Sequence, residues 1–324
     1  MKRKQILNSL LVVGLGLLIP VVGFGQTMKE AVDAYNSAAT TYKQDPKSAL
    51  ENLNKAIQIC EQLGEEGTEV KTNSESLTPS VYFELAMSSY KQKDLQGTLD
   101  NLEKAEETAV KYNVGAIKSR VEKTIPKLYN VMGNTKFKED KFEEAIKNYT
   151  KALNFNADFV DPLIGLTLSY EKLGDEAKML EYIDKTIEAA KKANDNKTAD
   201  ETTIKAKNFF LKQADDAQKN QKYEDAIVSL NNVLKYDSND NDVYRLLAVN
   251  YNRVEKWNEG IEAALKAIDL KTGTADEKAE LYFLLATAYQ KINDNAKACE
   301  AYKNAAYGTY KPNADYQIQQ LKCQ

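Results

Sequence analysis

Histidine is absent from the 324 residues, and that absence decides more chemistry than any residue present. Ser-His-Asp and Cys-His nucleophilic sites, imidazole acid–base catalysis and His-ligated metals are excluded together. The 48 Asp+Glu and 44 Lys+Arg that remain show no spacing that argues for a paired-carboxylate catalytic site. No glycine-rich phosphate loop is present either. The stretch DSNDND at 237–242 resembles a calcium loop, but it lacks the turn glycine and the closing Glu, so it reads as a turn. The expectation is a protein that is not an enzyme and takes no cofactor or metal. Three cysteines, Cys60, Cys299 and Cys323, form an odd set that permits one pair at most.

A formal net charge of -4 gives no electrostatic reason to expect nucleic acid or an anionic membrane as partner. Protein or peptide partners remain. At the N-terminus Lys2, Arg3 and Lys4 precede an apolar run from Leu10 to Phe24 that ends in VVGFGQ. This predicts a secretory signal peptide over residues 1–25, cleaved after Gly25. Fifteen residues interrupted by Pro20 are too few for an anchor, which needs about 20. No cysteine lies near the cleavage point, so no lipid-modified N-terminus is expected. The chain from Gln26 keeps 41 cations against 48 acids, a net charge of -7. It is expected to be periplasmic or secreted, without membrane insertion once the signal is gone.

Beyond residue 26 apolar residues recur at spacings of three and four, which predicts an all-helical chain. One pattern of three residues, spaced four and three apart, returns seven times. It runs Ala49-Leu53-Ala56, Thr98-Leu102-Ala105, Ala145-Tyr149-Ala152, Met179-Ile183-Thr186, Ala226-Leu230-Val233, Gly260-Ala264-Ala267 and Ala298-Tyr302-Ala305. A small residue precedes each, usually by twelve: Ala38, Ala86, Gly133, Thr167, Ala214, Ala248 and Ala286. Small side chains beside bulky ones are what two closely crossing helices require.

This pattern resembles the 34-residue tetratricopeptide repeat, whose paired helices need small residues at repeat positions 8, 20 and 27. The likeness is densest in LYFLLATAYQKINDNAKACEAYKNAA, through Tyr282, Leu285, Ala286, Tyr289, Ala298, Tyr302 and Ala305. It implies an alpha-alpha superhelix of seven helix-turn-helix units near residues 31–63, 79–112, 126–159, 160–193, 207–240, 241–274 and 279–312, with a capping helix at 313–323. Met179 and Thr186 depart from the small-residue rule. Extra residues before the second, third and fifth units read as loops leading into extended helices, with Pro79, Pro126 and Pro162 near helix starts. A softer joint is expected at 193–200, where the sequence is polar.

The resemblance further implies that ligands meet the first helices at repeat positions 2, 5, 9, 12 and 13. Tyr35, Tyr42, Phe83, Met87, Tyr90 and Phe137 then form an aromatic strip, with Asn130 and Asn134 beside it to bond a peptide backbone. Position 12 changes to Glu171, Gln218, Asn252 and Gln290 in the later units. Position 13 is basic throughout, as Lys43, Lys91, Lys138, Lys172, Lys219, Arg253 and Lys291, and reads as a solvated face. The Lys and Asn set that clamps chaperone tails is missing. The implied function is an exported envelope scaffold or adaptor, or else a structural subunit of a secretion or uptake assembly. If the cap helix runs back along the final unit, Cys323 falls opposite residue 298, beside Cys299.

Overall fold

A computed structural model of the chain describes residues 24–324. Most of the expected signal peptide therefore lies outside the described residues. Fifteen α-helices account for most of the described chain, which contains no strand. They fall into two compact units, divided at Thr135/Lys136.

The first unit contains α1 (Phe24–Thr41), α2 (Pro46–Leu63), α3 (Thr68–Lys91), α4 (Leu95–Lys111) and most of α5 (Gly115–Lys138). Here α1 packs on α2, α2 on α3 and α3 on α4. The second unit runs through α6 (Phe142–Phe155), α7 (Val160–Leu173), α8 (Glu176–Lys192), α9 (Asn196–Lys219) and α10 (Tyr223–Tyr236). It continues through α11 (Asn241–Arg253), α12 (Trp257–Leu270), α13 (Ala275–Lys291), α14 (Asn295–Ala305) and α15 (Lys311–Gln320). Each of these helices packs on the next. The expected joint at 193–200 lies inside this unit, at the turn from α8 into α9.

One turn device recurs. In six of the helical hairpins a single residue takes the left-handed conformation, namely Lys93, Asp140, Gly174, Gln221, Glu255 and Asn293, at φ between 57° and 73°. The next amide then bonds the carbonyl five residues back, as Asp94 does to Ser89 and Asp294 to Tyr289, which closes the helix end. In three of these turns that same next residue, Asp94, Asp175 or Asp294, caps the following helix by accepting from its third backbone N–H. Only Gly174 has no side chain to strain in this conformation.

The small-residue frame read from the sequence is the packing frame of the structure. Ala38, Ala49, Ala56, Ala86, Ala105, Ala145 and Ala152 are fully buried, as are Ala226, Ala248, Ala267, Ala286, Ala298 and Ala305. Between them sit the large buried side chains Leu53, Leu102, Tyr149, Ile183, Leu230 and Tyr302. Met179 and Thr186, the two departures, are buried as well.

The prolines correct the sequence reading. Pro162 stands in the first turn of α7 as expected, but Pro79 and Pro126 lie midway along the 24-residue helices α3 and α5. The segments expected as loops leading into extended helices are mostly extension: apart from the 3-10 turn Gly64–Gly67 and residues 194–195 they belong to α3, α5 and α9, which each begin about three turns ahead of the repeat unit. An interior proline removes a helix hydrogen bond at about 3 kcal/mol. Both prolines are buried, and that burial works against the loss.

At the C-terminus α15 seats Ala314 in the core, with Ile318 and Leu321 packed against the same cluster. Cys299 and Cys323 are joined, with Cα atoms 5.5 Å apart. Cys60 is a free, buried thiol whose burial pushes its pKa up.

Candidate functional site

Geometry divides the expected aromatic strip. Tyr35 and Tyr42 are half-buried and lean on the core cluster of Ala38, Ala49, Leu53 and Val81. Phe83 is 5% exposed and its ring is covered by the Arg120 guanidinium at 4.1 Å, so a ligand approaching there meets the cation first. Phe137 lies in the second unit, edge-to-face with Phe142 at 5.4 Å, and packs beside Tyr149. Asn134 is exposed. Asn130 is 8% exposed, and its Oδ1 has no hydrogen-bond partner among the described residues.

Met87 and Tyr90 do come together, and around them the first unit forms a cleft of about 210 Å³. Met87 and Tyr90 project from the last turns of α3, and Thr98 stands on the first turn of α4. The far wall is Thr124, Lys127, Leu128 and Val131 of α5. Tyr90 is 45% exposed at the rim. The threonines do not make the wall polar, because Thr98 donates to the Asp94 carbonyl at 2.6 Å and Thr124 to the Arg120 carbonyl at 2.7 Å. Lys127 brings the one charge among the lining residues, and it forms no ion pair among the described residues. Such a cleft offers an apolar seat with one cation at its edge. Its volume is below the roughly 300–1,000 Å³ typical of small-molecule sites, and suits one large side chain of a peptide.

The α5 wall is the part that sequence reasoning missed. Lys127 stands at repeat position 2, one of the positions that the resemblance assigns to ligand contact, and was there to be read. Leu128 and Val131 carried no such signal, because an apolar residue on a first helix looks like core.

The acidic motif noted in the sequence is internally satisfied. The acidic turn at 237–242 encloses Lys207 of α9, whose ammonium lies 2.7 Å from Asp237 and 3.0 Å from Asp240. Those bonds raise the Lys207 pKa and lower that of Asp237. Asp240 also caps α11 by accepting from Asp242 and Val243 N–H. All seven basic residues at position 13 are exposed. Lys43 lies over Tyr42 at 5.7 Å, Lys291 over Trp257 at 5.8 Å, and Lys219 pairs with Asp215 at 2.5 Å.

Two family models match the sequence, one described as TPR repeat over residues 133–174 and one as tetratricopeptide repeat over residues 279–307. Over those two segments the chain is similar to tetratricopeptide repeats. No curated protein matches it. Among solved structures it is similar to the TPR2AB domain of yeast Sti1 in complex with pHSP90, at 17% identity over 92% of this chain and 98% of that chain, TM-score 0.31. A tetratricopeptide repeat protein from Parabacteroides merdae is similar at 17% identity, over 92% of this chain and 100% of that one, TM-score 0.31. YrrB, described as a TPR protein with an unusual peptide-binding site, is similar at 16% identity over 64% and 97%, TM-score 0.31. No helix among the described residues is long and apolar enough to cross a membrane.

Proposed function

We propose that the chain is an exported, non-catalytic scaffold or adaptor of the cell envelope that holds a peptide or protein partner by an apolar side chain in the cleft of α3, α4 and α5. One observation carries this reading: an exposed aromatic and a methionine converge on an apolar cavity with an unpaired cation at its edge. Buried apolar anchors dominate peptide affinity, and a rim charge adds selectivity. An acidic residue next to the anchor in the partner would meet Lys127.

Selection of random dodecapeptides on the purified chain, followed by calorimetry, tests the proposal. Selected peptides should carry a large apolar residue with an acid nearby. Replacing Met87 and Tyr90 together by Ala should weaken them by about 2 kcal/mol or more while helix content is kept. Equal affinity for the double variant would remove the site.

A further inference from the structure

A second cleft occupies the same place in the repeat frame, within the second unit. In the first cleft Tyr90 stands at repeat position 12, Thr98 at 20, and Thr124, Lys127, Leu128 and Val131 at positions -1, 2, 3 and 6 of the following unit. The second is built by Glu171 of α7, Met179 of α8, and Lys205, Asn208, Phe209 and Lys212 of α9, at the same six positions. Each cleft ends on a 24-residue first helix, α5 or α9. The extension of α9 adds Glu201 and Ile204 to the wall, the latter 55% exposed.

The place is shared but the chemistry is opposite. The floor stays apolar, with Met179 and Phe209 where Thr98 and Leu128 stood. The walls become charged, as Glu171 replaces Tyr90, Lys205 replaces Thr124 and Lys212 replaces Val131. Lys205 and Glu171 pair with each other at 2.5 Å. Lys212 has no ion pair and Asn208 no side-chain hydrogen bond among the described residues, and Glu201 has only exposed Lys197 at 3.8 Å. The cavity is about 490 Å³, more than twice the first, and so takes several residues of a partner rather than one side chain.

We propose that the cleft of α7, α8 and α9 is a second peptide site, selective for a short segment in which a basic and an acidic residue bracket apolar ones. Charge complementarity sets this occupant. Glu201 and Lys212 are eleven residues apart on one helix, about 16 Å along its axis, which is the span of about five residues of extended chain. A peptide lying along α9 therefore places its basic residue opposite Glu201 and its acidic residue opposite Lys212, with the apolar residues between them on Ile204, Phe209 and Met179. Asn208 bonds the peptide backbone. The proposal is independent of the first cleft.

The probe is acetyl-Lys-Ala-Leu-Phe-Ala-Glu-amide together with its reversed sequence, titrated into the full chain with labelled methionine methyl groups. Met179 lines this cleft and Met87 the other, so one spectrum separates the two sites. The expected result is saturable movement of the Met179 signal with Met87 fixed, weakened by added salt. Lys212→Glu should weaken binding at least about fivefold, and a probe with Lys in place of its Glu should recover it on that variant. No saturable movement up to millimolar probe would overturn the proposal. So would equal affinity for a probe with Ala at both charged positions, or an unchanged affinity of Lys212→Glu.

Discussion

Gly165 shows how finely single residues are fitted in the repeat interior. It stands on α7 against the buried ring of Tyr149, and a Cβ built there would come within 2.4 Å of Tyr149 Cζ. Backbone freedom is not its role; space is. Gly165→Ala should therefore lower stability by about 1–3 kcal/mol through overpacking, although Ala favours a helix interior by about 1 kcal/mol over Gly. Urea unfolding of the two proteins measures the difference, and a stabilised variant would contradict this packing. Tyr149 also responds to alkali. Burial pushes its phenol from the ordinary value up to about 12, so the fold favours the neutral form. A raised folded pKa means that this contribution is full below pH 10 and is lost as pH rises through about 12. Burial raises Tyr302 too, and burial with the 2.8 Å hydrogen bond to Asp184 raises Tyr236. Phenolate absorbance should thus rise in two phases, exposed tyrosines first, with unfolding accompanying the second; a single phase near pH 10 with the helices intact would contradict the burial. The small positions and their large partners were legible in sequence because spacing alone marks them. Gly165 was not, since nothing local shows that a neighbouring unit places a ring over it.

Elements were legible to different degrees. The frame of three- and four-residue spacings located every second helix, because each must bury one narrow stripe. Extensions of α3, α5 and α9 were expected behind loops and take up nearly all of the inserted residues, while prolines at 79 and 126 pointed to helix starts that are helix interiors. Burial of both rings outweighed the local rule, which is how tertiary packing overrides propensity. The capping helix α15 makes its own prediction. Its link from Cys323 to Cys299 closes 24 residues of sequence separation, worth about 3 kcal/mol in the chain-entropy estimate. Thiol titration of unfolded, unreduced protein should count one free cysteine, Cys60. A count of three would break the link, and with it the account of how α15 is held.

For the whole molecule the claim is an exported chain whose repeats present binding clefts. Export predicts that intact mass measurement of the protein from the cell envelope or medium finds Gln26 first. A chain beginning at Met1 and retained in membranes would contradict it. The candidate site was less legible than the fold, because each cleft arises where two successive helix pairs meet within one compact unit and its walls combine residues some forty positions apart, as Tyr90 and Val131 do. Met87 and Tyr90 were visible at positions that the resemblance assigns to ligand contact, whereas Leu128 and Val131 resembled core. The most direct test of the central claim uses the methionines. A selected apolar peptide is titrated into methyl-labelled protein, in which Met28, Met87, Met132 and Met179 report from four places along the chain. The account predicts a saturable shift of Met87, weakened by Tyr90→Ala, while Met28 and Met179 stay fixed. Binding of a peptide that lacks a basic residue, moving Met28 or Met179 and leaving Met87 unmoved, would contradict it.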